Sequence, residues 1–198
     1  MTDIQISPRQ TILTRMASAA RTAGRSPEDV ALVAVSKQQP WEAIAPVLAE
    51  RQLIFGENRV QEAQERWADR REGLELRLIG PLQTNKVRNA VALFDVIETL
   101  DRPKLAKALA EEAARQGRMP RLYVQVNTGE EPQKAGVSPT LADGFITECR
   151  ALGLPMRYGQ DVNAILFDRY VLDRPLRGAL PSLHAAAARR VAEPLETL

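Results

Sequence analysis

The chain has 198 residues, enough for a domain with a sizeable core, and its 44% hydrophobic and 26% charged residues are the balance of an ordinary globular protein. Lys and Arg number 27 against 25 Asp and Glu, and the resulting net charge of +2 is too weak to mark a nucleic-acid surface. A single cysteine, Cys149, rules out a disulfide framework within the chain and points to a reducing compartment, while a single histidine, His184, speaks against a zinc site of the usual type.

The opening "MTDIQISPRQ" lacks a basic region followed by an apolar core, and no apolar run is long enough to span a bilayer. A cytoplasmic protein without membrane contact is expected. In chain order, Ser7 is placed to cap a first helix that starts at Pro8 and closes at Gly24, with Ile12, Met16 and Ala19 along one face. "VALVAV" (Val30–Val35) then reads as a buried strand, and "PWEAIAPVLAER" from Pro40 as a helix. Leu53–Phe55 is a second strand and Glu57–Asp69 a second amphipathic helix. Leu76–Gly80 is a third strand, with a helix through Asn85–Leu93. Asp95–Thr99 is a fourth strand, followed by a helix capped by Asp101 and ended by Gly117. Arg121–Asn127 is a fifth strand, and a helix from Ser138 to Leu152 follows a glycine-bearing loop.

Strict strand–helix alternation predicts parallel strands with right-handed crossovers, hence an α/β fold, either a doubly wound sheet or a (β/α) barrel. In both, a site forms at the carboxyl ends of the strands. Just after the predicted strands stand Ser36-Lys37, Gly56-Glu57-Asn58, Gly80 through Lys86, and Asn127-Thr128-Gly129-Glu130. Amides, hydroxyls and glycines therefore gather on one rim, the composition of a ligand-binding edge as well as of polar loops.

Lys37 is the candidate reactive group on this rim. A buried strand leads into it, partial burial favours a neutral amine, and a neutral amine attacks aldehydes. On the local sequence alone a lysine snorkelling to water is the commoner outcome.

The motifs "VAVSK", "FGENRVQEAQERW", "LIGPLQTNKVRN" and "VQVNTGEEPQKAG" occur in one order and spacing that resembles the pyridoxal phosphate homeostasis protein family, from about residue 8 to residue 155. The resemblance implies a TIM (β/α) barrel of alanine-racemase N-terminal type without the second domain of a racemase. It implies that Lys37 holds pyridoxal 5′-phosphate (PLP) as a Schiff base, with Asn58, Gly80, Gln83, Asn85 and Asn127 around the cofactor. The function it implies is PLP homeostasis: a carrier that exchanges the cofactor with PLP-dependent apoenzymes, as a monomer or weak dimer, without turnover of its own. A PLP-dependent racemase or lyase is the enzymatic alternative, set back by the lack of a second candidate base.

The family pattern does not continue past Gly153–Pro155. Its serine-bearing phosphate loop and its arginine-bearing late strand have no counterpart in the sequence. Residues 1–155 are thus read as the PLP-binding barrel portion, and residues 156–198 as a divergent tail that leaves the barrel incomplete at its carboxyl-terminal end. A truncated or frameshifted product with impaired cofactor binding is one explanation. A shortened variant is the other, its tail runs Ala164–Phe167 and Arg169–Leu172 patching an edge. The first is preferred because incomplete closure leaves strand edges unsatisfied.

The remaining chemistry-bearing residues have plainer readings. His184 is a surface or interface residue and Cys149 a packing residue. Glu57 and Glu62 pair with Arg59 or Arg66 on a helix. Trp41 and Trp67 pack, and Lys86 and Arg88 are solvated. No phosphate-binding glycine motif of the Walker or dinucleotide type is present.

Overall fold

The computed structural model describes residues 7–156, all within the first of two compact units, Met1–Leu166. Among the described residues, α1 (Pro8–Thr22), α2 (Trp41–Ala49), α3 (Val60–Trp67), α4 (Val87–Leu93), α5 (Pro103–Gln116) and α6 (Ala142–Ala151) alternate with strands after the first helix. The strands are β1 (Ala34–Val35), β2 (Ile54–Glu57), β3 (Glu75–Leu78), β4 (Val96–Leu100) and β5 (Arg121–Val124). All neighbours pair parallel, and the sheet order is β1-β2-β3-β4-β5. Such sequential order is that of a (β/α) barrel; a doubly wound sheet reverses direction partway.

The helix ends follow their sequence signals closely. The Ser7 hydroxyl accepts from the Gln10 N–H at 3.1 Å, and Pro8 takes the first turn, where its missing N–H costs nothing. Gly117 ends α5 at φ 62°, with Arg118 N–H bonded to Ala113 C=O and Gly117 N–H to Ala114 C=O, a Schellman motif. The α5 amino terminus differs from expectation. Pro103 takes the first helical position, so the capping position falls on Arg102, and Asp101 instead pairs with the Arg102 guanidinium. On α1 the buried residue is Ala20 rather than Ala19.

The core lies between the sheet and its helices. Phe55, Leu76, Leu78, Ile97 and Leu100 meet Ala63, Trp67, Val91, Leu105 and Leu109, all nearly inaccessible. Phe55 and Trp67 rings lie 4.7 Å apart, and Trp41 stands edge-on to Trp67 at 5.8 Å, so both tryptophans pack as expected. Cys149 is also buried here, and burial, followed by nearby Glu148, raises its thiol above the ordinary range.

Strand ends shift by one to several residues, β5 for instance ending at Val124 instead of Asn127, and for two of the strands the reason is identifiable. The first strand is shorter than Val30–Val35 because the buried Gln52 amide, not a ladder N–H, satisfies Leu32 C=O at 2.7 Å and also Ile54 C=O at 2.8 Å. The second strand runs one residue beyond Gly56, so Glu57 closes a strand instead of opening a helix, and α3 begins at Val60. The expected runs Ala164–Phe167 and Arg169–Leu172, and His184, lie outside the described residues.

Candidate functional site at the carboxyl ends of the strands

The register brings Val35, Gly56 and Arg77 side by side. One residue further the ladder still holds: Ser36 N–H donates to Gly56 C=O at 3.0 Å, and Ile79 N–H to Glu57 C=O at 2.9 Å. Beyond these bonds lie the loops that carry the candidate residues.

Lys37 sits immediately past β1 and is half-buried. It is the second residue of a four-residue turn closed by Gln39 N–H to Ser36 C=O at 3.1 Å. The third residue, Gln38, has φ 57°, a left-handed conformation that favours glycine in a turn of this type. A non-glycine residue there costs on the order of 1–3 kcal/mol, and such strain gathers where surrounding structure enforces a geometry.

Asn58 follows β2 and Gly80 follows β3, and the two meet backbone to backbone. A Cβ at Gly80 would lie 2.3 Å from Asn58 C=O oxygen and 2.7 Å from its Cα, so glycine is what lets these strand ends close up. Thr99 on β4 fastens the same corner, its hydroxyl donating to Gly80 C=O at 2.9 Å. Lys37, Asn58 and Gly80 therefore stand on three successive strand ends. Gln83 and Asn85 lie further out, exposed, in the turn that leads into α4.

Asn127 follows β5, and its side chain is committed within its own loop. Its amide N–H donates to Glu131 C=O at 2.9 Å, and its oxygen accepts from Glu131 N–H at 3.3 Å. Gly136 backs this loop at φ 122°, and a Cβ there would meet Asn127 N at 2.7 Å. The loop surrounds a cleft lined by Gln125, Asn127, Gly129, Glu131 and Lys134, with Lys134 paired to Glu131. Asn127 thus shapes this cleft rather than offering a free amide.

Behind Lys37, on the helix side of the sheet, is a cluster that the sequence reading did not assemble. Glu57 is wholly inaccessible, and its Oε1 accepts from Ser36 Oγ at 2.7 Å, Arg66 Nη1 at 2.6 Å and Trp67 Nε1 at 2.9 Å. Its Oε2 has no hydrogen-bond partner among the described residues. The expected pairing of Glu57 with Arg66 is present, but in the interior. Glu62 pairs with Arg59 at 3.1 Å on the surface. The signal for the buried cluster was the two-residue period of a strand, which puts Phe55 and Glu57 on one face if the strand is read through Gly56.

The opposite face of the sheet carries charge. Arg77 bridges Glu75 at 2.6 Å and Glu98 at 3.0 Å, and Arg121 also reaches Glu75. Burial works against the Arg77 charge, but its bonds to Glu98 and Glu75 hold the guanidinium above its ordinary range. Among the described residues no cluster of His, Cys, Asp and Glu could hold a metal ion, and no helix is long and apolar enough to cross a membrane.

The profile of the alanine racemase N-terminal domain family matches residues 10–157. The Escherichia coli (strain K12) pyridoxal phosphate homeostasis protein is 40% identical over 129 residues, which cover 62% of this chain and 54% of that protein. The chain spans about half the length of the curated relatives it matches. Among solved structures, PipY of Synechococcus elongatus PCC7942 without PLP superposes with a TM-score of 0.65 at 34% identity, covering 90% of this chain and 78% of PipY. The PLP-bound form of PipY gives 0.63 at 31% identity, covering 89% and 77%. With three quarters of its length matched by one profile and a solved relative superposed over most of both chains, the chain belongs to the alanine racemase N-terminal domain family.

Proposed function

We propose that the chain binds PLP at the carboxyl ends of its strands through Lys37 and serves intracellular PLP homeostasis, holding the cofactor and exchanging it with apoenzymes. The observation that carries this reading is the placement of Lys37: a half-buried lysine on a strained turn past β1, on the strand end next to the one that leads into the Asn58–Gly80 corner. The PLP-bound relative PipY and the relatives named as PLP homeostasis proteins supply the identity of the ligand.

PLP supplies an aldehyde carbon, to which a lysine amine adds reversibly with loss of water. The described residues fit such a group in part. The β1 turn presents the Lys37 amine. Gly80 lets β2 and β3 close, which places Asn58 on the rim, and the exposed amides of Gln83 and Asn85 are donors of a kind that suits phosphate or ring oxygens. Asn127 holds the β5 loop in shape around its cleft. In this reading residues 1–155 form the PLP-binding portion and residues 156–198 a divergent tail. Reversible capture asks for one amine and a polar rim, and this is the chemistry a carrier uses.

Titration of the purified full chain with PLP, followed by visible absorption, tests the proposal. Saturable binding that is lost in Lys37→Ala supports it. Unchanged binding in Lys37→Ala overturns the assignment of Lys37. Transfer is read by whether the loaded chain reactivates a PLP-dependent apoenzyme faster than free PLP at equal concentration.

A further inference from the structure

We infer that Glu57 is a positioning residue for Lys37, acting through Ser36. The inference rests on the reading of Lys37 as the reactive amine, and it concerns what holds that amine in place. Three observations carry it. Glu57 Oε1 accepts the Ser36 hydroxyl at 2.7 Å, and Ser36 is both the last laddered residue of the first strand and the first residue of the Lys37 turn. The same oxygen is tied to α3 by Arg66 at 2.6 Å and Trp67 at 2.9 Å. The turn it anchors holds Gln38 left-handed at φ 57°, a conformation that persists only where the surroundings enforce it.

The geometry fixes which way Ser36 faces. The Ser36 side chain is drawn toward α3 by Glu57, on the face that also carries Phe55 and Trp67. Gly56, on the paired strand, faces the other side of the sheet, where a Cβ on it would lie between Val33 and Ile79. Releasing Ser36 removes the bond that ties the first residue of the Lys37 turn to the buried carboxylate and α3. The arrangement is also costly as mere packing. One oxygen of a wholly buried carboxylate takes three donors while the other takes none, and unsatisfied buried groups of this kind are rare enough to need a reason. Holding Ser36, Arg66 and Trp67 on a single oxygen draws strand and helix to one point directly behind the lysine.

The test uses Ser36→Ala, which removes the link and leaves Glu57 paired with Arg66 and Trp67. Ser36→Thr restores the hydroxyl. Asp95→Asn, at the far end of the sheet, controls for lost stability. In the full chain without PLP, limited acetylation by acetic anhydride is quantified at Lys37 relative to exposed Lys104 and Lys107 across a pH series. PLP affinity is measured in parallel. Small displacements of a reacting group cost up to about 100-fold, so a change of about fivefold or more in relative Lys37 acetylation is expected for Ser36→Ala. Recovery is expected in Ser36→Thr, and no change in Asp95→Asn. Ser36→Ala with a wild-type Lys37 profile overturns the inference, as does an equal change in Asp95→Asn. If Lys37→Ala still binds PLP unchanged, the assignment of Lys37 as the cofactor-holding amine fails, and the acetylation ratio still decides whether Glu57 and Ser36 position that amine.

Discussion

Two acidic side chains join the helix layer to the sheet, one at each end, and they do it differently. Asp95 stands just before β4. Its Oδ1 accepts Arg71 at 2.8 Å and Arg118 at 2.9 Å, and its Oδ2 accepts Leu76 N–H at 2.9 Å. Arg71 and Arg118 in turn cap the carbonyls of Leu93, Val91 and Phe94, so the α4 carboxyl end is closed by the same clamp. Every strong acceptor of Asp95 is used. At the other end, Glu57 loads one oxygen with three donors and leaves the second empty, beside a strained turn and a glycine pressed against Asn58. The amino end is built for cohesion. The carboxyl end trades satisfied bonds for the placement of particular groups, as expected where barrel sites form.

This contrast can be broken from either side. Glu57→Ala should cost the most, about 3–5 kcal/mol in chemical denaturation, because it leaves the Arg66 charge and the Trp67 N–H without their buried acceptor. Asp95→Ala should cost about 2–3 kcal/mol through the loss of charge-assisted bonds, while leaving Lys37 chemistry in the folded fraction untouched. If Asp95→Ala weakened PLP binding beyond its effect on stability, the two ends would not be separable.

Gly80→Ala should cost about 1–3 kcal/mol, since its Cβ meets immobile backbone, and should lower PLP affinity more than its stability loss accounts for. Gln38→Gly relieves the left-handed residue and should stabilise by about 1 kcal/mol or less once glycine's own entropy is set against the strain. The sharper reading there is PLP affinity, which should fall as the turn loosens.

The smallest effect lies away from both ends. Hydrogen bonds from Arg115 and then Gln116 hold Glu112 below the ordinary carboxylate range. A depressed folded value contributes stability that is present above the unfolded carboxylate range and is lost as pH falls through the folded one. Glu112→Gln should therefore lower the neutral plateau slightly and leave stability at the acid end unchanged, which flattens the acid limb of a thermal stability profile.

Much of the fold was legible in the sequence because its signals are local. Ser7-Pro8 and Gly117 are helix punctuation, and the alternation of short apolar runs with amphipathic stretches led to five parallel strands, whose sequential order the pattern left open between a doubly wound sheet and a barrel. The misplacements came from side chains that replace backbone. Gln52 satisfies Leu32 C=O and shortens the first strand, and Pro103 shifts the α5 cap from Asp101 to Arg102. The rim was foreseen as a set of residues, and the structure brings Lys37, Asn58 and Gly80 to adjacent strand ends, with Gln83 and Asn85 further out. The self-contained bonding of Asn127 depends on loop closure between Val126 and Val137, a contact that no local pattern announces. Glu57 was hidden for a related reason. Its partners are 21, 9 and 10 residues away, and a carboxylate near a helix start in sequence ordinarily faces water.

The most direct test of the central claim, that the carboxyl ends of the strands present Lys37 as the cofactor-holding amine, is chemical trapping. The full chain is equilibrated with PLP at graded concentrations and reduced with borohydride, and the modified peptides are mapped by mass spectrometry. The account predicts one saturable modification, at Lys37, filled before any other lysine. Modification that rises without saturation and is spread over Lys37, Lys86, Lys104, Lys107 and Lys134 would contradict it.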